Sequence, residues 1–493
     1  MPESTARPRD FQAAKGTLGI SVDRSAAAPP LFRQIQDGIR HGMLTGAIGV
    51  GMRLPAEREL AAILGVNRTT IMHAYQELAA EGLVTARPGR GTVISLPDQD
   101  QDLNSLQAGT DSSWLLTMPS FGNGTIGPDP NLLRDIADLS AQPNLINFAA
   151  GAPGVDLMPV AALQRELASA LSDYGGGILG YGPVEGLPAL RESIALRMQA
   201  RGARVSSSEV IVVSGATQGL ALAARALIEP GDEVAVEAPS YVGVLQTFAA
   251  AGARLIGVPM DRHGLRVDEL ATILSRRRIR LIVVQPTLQN PTNSTLSLER
   301  RERLLSLAER YGVPILEDDA YGELWHDGSG PAPLKAIDRH GNVIYLGTFS
   351  KTIAPALRLG WCVAPHAVIG RLALAKQFAD LQSGVLAQLA VNGFMVSGAY
   401  TRHLEACRQA YNERRTTMLA ELSTLPMIRA ESSRDGGLYV WCRLPEHLPA
   451  RTLAAAAGRA GVAILAGDAF YPQGSLGQLD GSRFMRLSFS SQT

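Results

Sequence analysis

The first apolar pattern along the chain has the spacing of helices. Between Leu31 and Met43, apolar residues recur every four positions, which places them on one helical face. A second helix of about three turns is predicted to begin near Pro55, because proline favours a helix start, and to end at Gly65. Asn67 stands where its side chain can cap a third helix. Helices joined by a short glycine turn predict a helix-turn-helix.

The third helix is predicted to have a buried face and a polar N-terminal end. Apolar residues at helical spacing form the buried face: Ile71, Ala74, Tyr75 and Leu78. Polar residues near the start face outwards: Arg68, Thr69, Thr70 and His73. Two short strands then flank a Pro/Gly turn that carries Arg87 and Arg90, the pattern of a β-hairpin. A helix-turn-helix followed by such a hairpin predicts a winged helix.

Two functions fit a module of this kind. Recognition helices enter the major groove of DNA by their N-terminal residues, and backbone phosphates need cations around the edge. Five arginines supply candidate cations: Arg53, Arg58, Arg68, Arg87 and Arg90. From Leu31 to Leu96 there are seven arginines and five acidic residues, a net charge of +2 that a dimer would double. The periodicity alone leaves open a second function, the docking of another protein.

From about residue 141 the pattern changes to apolar strands that alternate with helices. The strand-like runs EVIVVSG, DEVAVEAP and LIVVQP are each followed by a helical stretch. This alternation predicts an α/β fold with a mostly parallel sheet covered on both faces. The stretch between the two modules is rich in Gly, Pro, Ser and Asp and lacks periodicity. The predicted organisation is a polar tail (1–28), a winged helix (29–96), a long linker (97–140) and a large α/β domain (141–493).

Polar residues at the strand ends of the large domain indicate a cofactor, because ligands bind beyond the carboxyl ends of parallel strands. The backbone amides of Ala216 and Thr217 open a helix and can hold an anion such as phosphate. Asn290, Asp318 and Lys351 follow successive strands. They supply an amide donor, a carboxylate for a pyridinium nitrogen and an amine that forms an imine. Each residue alone also fits a structural role, but the combination predicts a site for pyridoxal 5'-phosphate (PLP).

The composition supports a special role for Lys351 and limits the class of protein. Lys+Arg and Asp+Glu number 46 each, so the chain as a whole has no basic excess for nucleic acid. Only four cations are lysines, and Lys351 is one of them. Three widely spaced cysteines, without a CxxC pair or a histidine cluster, predict reduced thiols and no metal site. We find neither the pattern of a signal peptide nor a long apolar run, and therefore expect a cytoplasmic protein with no membrane partner.

The N-terminal module resembles the winged helix of the GntR family. The second helix, recognition helix and wing of that family stand here as LPAEREL, NRTTIMHAYQELAAEG and PGRGTV. The resemblance implies that Arg58, Arg68, Gly89 and Arg90 contact DNA. Many members have an arginine where this chain has Met72, so base reading at that position would pass to His73 or be lost.

From NFAAGAPGVDLMP to FMRLSFS the chain resembles fold-type I aminotransferases of the aspartate aminotransferase superfamily. This implies a large domain with a mostly parallel sheet and a small α+β part. It also implies that Lys351 binds PLP covalently, that Asp318 pairs with the pyridine nitrogen and that Arg486 takes a substrate carboxylate. The other implied contacts are Asn290 and Tyr321 at the 3-oxygen, Tyr241 on the ring, Ala216, Thr217, Thr348 and Arg358 at the phosphate, and Tyr181 at the phosphate of a neighbouring subunit.

The two halves together resemble the MocR subfamily of GntR-type transcriptional regulators. The resemblance implies a head-to-tail homodimer that binds double-stranded DNA at two half-sites. An amino acid or amine would displace Lys351 by forming an external aldimine, and closure around Arg486 would change the spacing of the winged helices. Two alternatives stay open. One is a working aminotransferase that carries a DNA-binding module, and the other is a regulator that senses PLP itself.

Overall fold

The computed structural model describes residues 20, 22–24, 29–44, 48, 52–80, 83–87, 91–94, 145–326, 330–431, 436–472, 475 and 477–492. The chain divides into two compact units, residues 1–119 and 120–493. Nearly all of the predicted tail and the whole of the predicted linker lie outside the described residues.

The N-terminal unit is a winged helix. Its elements are α1 (Leu31–Leu44), α2 (Glu57–Leu64), α3 (Arg68–Ala80), β1 (Val84–Arg87) and β2 (Gly91–Ile94). The two strands pair antiparallel and form the wing. α2 has eight residues, which is shorter than the predicted three turns. The reason is that Ala56 is still extended, while Gly65 ends the helix in the left-handed conformation with φ of 61°.

The core of this unit consists of the apolar positions that helical spacing selects. Ile35 and Ile39 of α1, Leu60 of α2 and Ile71 and Leu78 of α3 are fully buried. At the start of α3, the side-chain oxygen of Asn67 accepts a hydrogen bond from the backbone of Thr69 at 3.1 Å. This is the predicted cap, and it fixes the start of α3. The polar N-terminal end of α3, here called the polar front, consists of Arg68, Thr69, Thr70 and His73.

The larger unit is built around an eight-stranded sheet. The strand order is β4-β11-β10-β9-β8-β5-β6-β7. Their bounds are β4 (Val210–Val213), β5 (Glu233–Ala238), β6 (Arg254–Asp261), β7 (Gly264–Leu265), β8 (Ile279–Val284), β9 (Ile315–Asp318), β10 (Val343–Thr348) and β11 (Gly360–Val363). The central pairs are parallel, whereas β11 runs antiparallel to both its neighbours and β7 antiparallel to β6. The prediction of a mostly parallel α/β sheet is therefore confirmed.

Helices cover this sheet on both faces, as separate apolar clusters on its two sides demonstrate. Their bounds are α4 (Val160–Tyr174), α5 (Pro188–Ala200), α6 (Ala216–Leu227), α7 (Val242–Ala250), α8 (Val267–Arg276), α9 (Leu298–Tyr311), α10 (Leu334–Ile337), α11 (His366–Gln377), α12 (Val385–Val396) and α13 (Ala399–Ser423). Strands β4 and β10 are buried along their whole length. Such burial on both faces explains why they read as continuous apolar runs.

A smaller α+β part follows the long helix α13. Four antiparallel strands form its sheet in the order β12-β13-β16-β15, with bounds β12 (Arg429–Ala430), β13 (Tyr439–Arg443), β15 (Leu465–Ala466) and β16 (Phe484–Ser488). Two further short strands, β3 (Ile146–Asn147) and β14 (Val462–Ala463), pair parallel, and α14 (Ala450–Arg459) and α15 (Gly477–Gly481) complete the part. It places β16 and the segment after β3 beside the carboxyl ends of β8, β9 and β10.

Cys362, Cys407 and Cys442 are buried free thiols. Within the described stretches, no helix is both long enough and apolar enough to cross a bilayer.

Candidate cofactor site and nucleic-acid interface

Lys351 lies three residues beyond the end of β10 and is half-buried. Its Nζ donates a hydrogen bond to the backbone carbonyl of Gly151 at 2.6 Å. Gly151 belongs to the segment that follows β3, so the contact joins the two parts of the larger unit. The amine is therefore held by a backbone acceptor rather than by a carboxylate.

Asp318 is the last residue of β9 and is buried. Its Oδ2 accepts a hydrogen bond from Gln285 Nε2 at 2.7 Å, while its Oδ1 has no hydrogen-bond partner among the described residues. Burial raises the pKa of Asp318 to about 7, although the hydrogen bond from Gln285 and the charge of Lys351 act in the opposite direction. A buried acceptor without a partner is costly, so this oxygen is placed for a donor that the chain itself does not supply.

Gln285 organises the loop that follows β8. Besides its bond to Asp318, its Oε1 accepts from the backbone of Asn290 at 3.0 Å. Gln285 is not among the site residues that the sequence predicts. Its position directly after an apolar strand is nevertheless the same signal that points to Asp318 and Lys351.

Arg486 of β16 lies in contact with Asn290, although 196 positions separate them in the chain. Its Nη1 donates to Asn290 Oδ1 at 2.9 Å, and its Nη2 donates to the carbonyl of Ala149. The guanidinium lies between two rings, with its carbon 4.2 Å from the centroid of Tyr439 and 5.2 Å from that of Phe470. Arg486 Nε is buried and has no partner among the described residues. A buried guanidinium with an unpartnered N–H donor is suited to binding an anionic ligand.

Tyr439 of β13 is a further member of the site that the sequence did not reveal. Its hydroxyl lies 2.9 Å from the hydroxyl of Tyr321. A Cβ atom at Gly151 would lie 1.9 Å from the same hydroxyl, so only glycine fits at that position. Tyr439 stands inside an apolar strand, where a tyrosine has no distinguishing sequence pattern.

The loop between β4 and α6 and the first two residues of α6 (214–217, here called the anion cradle) have a geometry that suits an anion. Gly215 has φ of 89° and precedes Ala216, the first residue of α6, so the amides of Ala216 and Thr217 lie at a helix N-terminus. Arg358 Nη2 donates to the carbonyl of Ser214 at 3.1 Å. A Cβ atom at Gly215 would lie 2.7 Å from that same nitrogen. Arg358 itself has a positive φ of 48°, a strained conformation for a residue with a side chain.

Tyr241 directly precedes α7, and Thr348 is the last residue of β10. Burial raises the pKa of Tyr241 to about 12, with contributions from Asp318 and Tyr439, while Arg486 and Arg358 lower it. Tyr241 therefore lies within electrostatic reach of both the carboxylate and the two arginines. The hydroxyl of Thr348 is engaged within its own loop, where it donates to the carbonyl of Leu359 at 3.3 Å.

Within the described part of the single subunit, Tyr181 makes no hydrogen bond or ring contact with these residues, and 89% of its surface is exposed. It belongs to the segment between α4 and α5, in which Leu179 is also exposed.

In the winged helix, Arg68 is held by an acid of the preceding helix. Its Nε and Nη2 each lie 3.0 Å from Glu57 Oε2, and 54% of the Arg68 side chain is exposed. His73 stacks on Phe32 with ring centroids 4.2 Å apart, and its Nε2 lies 3.6 Å from Glu77. The polar front of α3 is thus oriented by neighbours on α1 and α2.

The structure describes some of the other predicted DNA contacts. Arg53 bridges to the wing strand at Val93, and a Cβ atom at Gly91 would lie 2.7 Å from Arg53 Nε. Arg58 and Thr69 are exposed, and Thr70 is half-buried. The side chain of Arg87 and the residues Gly89 and Arg90 lie outside what the structure describes.

Two family models match the chain. The model of aminotransferase class I and II matches residues 143–492, and that of the bacterial regulatory proteins of the gntR family matches residues 31–94. The first match covers more than half of the chain, and the second covers the winged helix.

Similar proteins fall into two groups. The uncharacterized HTH-type transcriptional regulator YdfD of Bacillus subtilis is 32% identical over 94% of this chain and 92% of its own length. The probable rhizopine catabolism regulatory protein MocR of Rhizobium meliloti is 31% identical over 81% of this chain and 78% of its own. Among solved structures, the α-aminoadipate aminotransferase LysN of Thermus thermophilus, complexed with N-(5'-phosphopyridoxyl)-L-leucine, is 32% identical with a TM-score of 0.70. It covers 77% of this chain and 94% of its own.

Proposed function

The chain belongs to the MocR subfamily of GntR-type transcriptional regulators, and we propose that it changes its affinity for DNA when an amino acid or amine reacts at Lys351. It is a PLP-dependent, DNA-binding regulator with a winged helix and an aminotransferase-like domain in one chain. In our proposal it acts as a homodimer in the cytoplasm and binds double-stranded DNA at two half-sites.

The observation that carries the proposal is the convergence of four groups in the aminotransferase-like domain. They are the amine of Lys351, the open oxygen of Asp318, the unpartnered Nε of Arg486 and the cradle at Gly215. These match, in order, an aldehyde, a ring nitrogen, a substrate carboxylate and a phosphate. The residues present therefore fit PLP together with an amino acid.

PLP supplies an aldehyde carbon that one amine can release and another can take. In this chain the first amine is Lys351, which the Gly151 carbonyl orients. Asp318 would pair with the ring nitrogen through its Oδ1, since Gln285 already engages Oδ2. Pairing with a cationic donor would also stabilise the ionised form of a carboxylate whose pKa burial has raised to about 7.

Asn290 would contact both the cofactor and the arginine that binds the effector. Because its Oδ1 accepts from Arg486, its Nδ2 is left to donate to the 3-oxygen. The hydroxyl of Tyr321, oriented by Tyr439, would supply a second contact to that oxygen. An effector carboxylate bound by Arg486 would thus influence the cofactor ring through one shared side chain.

The phosphate would bind at the amides of Ala216 and Thr217, at Arg358 and at Thr348, the last residue of β10, with Tyr241 on the ring. Tyr181 of a neighbouring subunit would complete this contact in the homodimer. Apolar exposure supports such an interface, since Val155 is 83%, Leu179 68% and Tyr174 62% exposed. Exposed apolar surface on this scale is typical of a protein interface.

The signal would begin in the segment that follows β3. Lys351 contacts this segment at Gly151, and Arg486 contacts it at Ala149. Release of the lysine amine and occupation of the arginine would therefore both act on the same few residues. If closure over the effector changes the separation of two winged helices, DNA affinity changes by a population shift.

A second candidate function is transamination by the same site. It is favoured by the presence of Lys351, whose free amine could also move protons, and by the 33% identity over 76% of this chain to the 2-aminoadipate transaminase of Thermus thermophilus. A third candidate is a regulator that responds to PLP alone. DNA-binding titrations distinguish the first candidate from the third. Our proposal expects DNA affinity to change when amino compounds are added to the PLP-bound protein, whereas the third candidate expects the change with PLP alone.

A further inference from the structure

A buried lysine, Lys376, is linked to the anion cradle through Asp380. Lys376, the penultimate residue of α11, has a fully buried side chain, and its Nζ lies 3.0 Å from Asp380 Oδ1. Burial lowers the pKa of Lys376, while the hydrogen bond and the charge of Asp380 oppose that effect. A buried ammonium is costly unless it is paired, so the position calls for an explanation.

Asp380 links this lysine to the loop that begins the cradle. Its Oδ2 accepts from Ser214 Oγ at 2.8 Å and from Gln218 Nε2 at 2.6 Å. Gln218 Oε1 in turn accepts from the backbone of Ser214 at 2.7 Å. Since Arg358 Nη2 donates to the carbonyl of Ser214, the Asp380 carboxylate holds a residue that also bonds to Gln218 and Arg358.

This arrangement creates an electrostatic problem for a phosphate site. Burial alone would raise the pKa of Asp380, but hydrogen bonds from Gln218 and Ser214 and pairing with Lys376 bring it below its ordinary value. Asp380 is therefore ionised at neutral pH, beside a loop that would bind a second anion. Like charges repel each other unless a cation lies between or beside them, and solvent screens this repulsion only in part, because 29% of the Asp380 side chain is exposed.

We propose that Lys376 is a positioning residue of the phosphate site: it neutralises Asp380, so that this carboxylate holds the Ser214–Gln218 loop in shape without repelling the cofactor phosphate. The inference rests on the proposed function, because the phosphate is that of PLP. It gives a function to the ion pair of Lys376 and Asp380, neither of which is among the residues that would contact the cofactor.

The test compares two ligands that differ only in the phosphate. PLP and pyridoxal are titrated by absorbance against the full-length protein and against Lys376→Met, Asp380→Asn and the double variant. Lys376→Met leaves Asp380 uncompensated and should weaken PLP binding by about tenfold, the scale of the repulsion between neighbouring like charges near a protein surface. Binding of pyridoxal should stay within about twofold of the unaltered protein, since it has no phosphate to repel.

The double variant removes both charges and should recover most of the PLP affinity that Lys376→Met loses. The double variant also has no unpaired charge, so its PLP affinity can still be measured if Lys376→Met does not fold. In that case the double variant and Asp380→Asn should both bind PLP within about threefold of the unaltered protein, because neither adds negative charge beside the phosphate. Lys335→Met is a matched control, as it removes another buried lysine that pairs with an aspartate, Asp338, at 3.4 Å.

Equal losses of PLP and pyridoxal in Lys376→Met would overturn the inference, because they would indicate a structural role alone. So would a double variant that binds PLP no better than Lys376→Met. If the unaltered protein binds no PLP, the proposed function fails instead. If it binds PLP and Lys376→Met binds it equally well, only the role of Lys376 is refuted.

Discussion

The Nζ of Lys351 lies 2.6 Å from the carbonyl oxygen of Gly151, two residues that are 200 positions apart in the chain. The same glycine lies against the Tyr439 hydroxyl so closely that no side chain fits there. The amine that would bind the cofactor is thus attached to a segment that also contacts Arg486. In our proposal, chemistry at Lys351 is in this way coupled to the geometry around Arg486.

Replacing Lys351 tests the cofactor assignment. Lys351→Ala should abolish the absorbance near the edge of the visible region that a lysine-bound PLP gives, because no other amine is held at that position. The winged helix should remain folded, since it is a separate compact unit. Absorbance spectra and circular dichroism of the purified variant measure both effects.

Lys351→Arg is the matched control for charge. It keeps a cation near Gly151 but has no amine that condenses with an aldehyde, so it should lose the absorbance as completely as the alanine variant. An unchanged spectrum in either variant would refute the assignment of Lys351.

Arg486 should distinguish amino acids from amines. Arg486→Lys keeps the charge but loses the forked geometry, so affinity for amino acids should fall by about 10- to 100-fold, the range for a bidentate charge-assisted contact. Amines made by decarboxylating the same amino acids should bind equally to both proteins. Spectral titration with matched pairs of amino acid and amine gives the comparison, and parallel losses for both classes would remove Arg486 from carboxylate recognition.

The pH dependence of stability follows from Asp318. Because its pKa in the folded protein is raised to about 7, its contribution to stability is fully present below about pH 4 and is lost as the pH rises through about 7. Asp318→Asn should therefore make the free energy of unfolding of the cofactor-free protein less steep across this range, by up to about 1.4 kcal/mol per pH unit. Burial also raises the pKa of Glu237, to about 8, so part of the slope should survive in the variant.

Denaturant unfolding at a series of pH values measures these slopes. Superimposable slopes for the unaltered protein and Asp318→Asn would contradict the raised pKa of Asp318. A change of the same size in Asp261→Asn, whose carboxyl is partly exposed and has a lowered pKa, would point to a general effect of removing charge.

The sequence predicts much of the fold, because the spacing of apolar residues reflects which face of a helix or strand is buried. The four-residue spacing of Ile35 and Ile39 marks the buried face of α1, and polar residues that follow apolar strands, such as Asp318 and Lys351, lie at the ligand-binding edge of the sheet. Tyr439 and the contact between Arg486 and Asn290 could not be predicted from these residues alone. They depend on how the small sheet packs beside the large one, and no periodicity records that packing.

Arg68 tests the nucleic-acid interface. Glu57 holds its guanidinium at the front of α3, so Arg68→Ala should weaken DNA binding by about 10- to 100-fold at fixed salt without changing the cofactor spectrum. Arg40→Ala is a suitable control, as it removes an arginine of α1 that pairs with Asp37. Equal affinity of Arg68→Ala and the unaltered protein for the DNA upstream of its own gene would exclude Arg68 from the interface.

The most direct test of the central claim measures that DNA affinity at fixed salt for the PLP-bound protein, before and after addition of amino acids and amines. We predict that at least one amino compound changes the affinity together with the cofactor absorbance, and that Lys351→Ala shows neither response. Fast multiple turnover with an amino acid and a keto acid, without any footprint on the upstream DNA, would contradict the account and identify the protein as an aminotransferase.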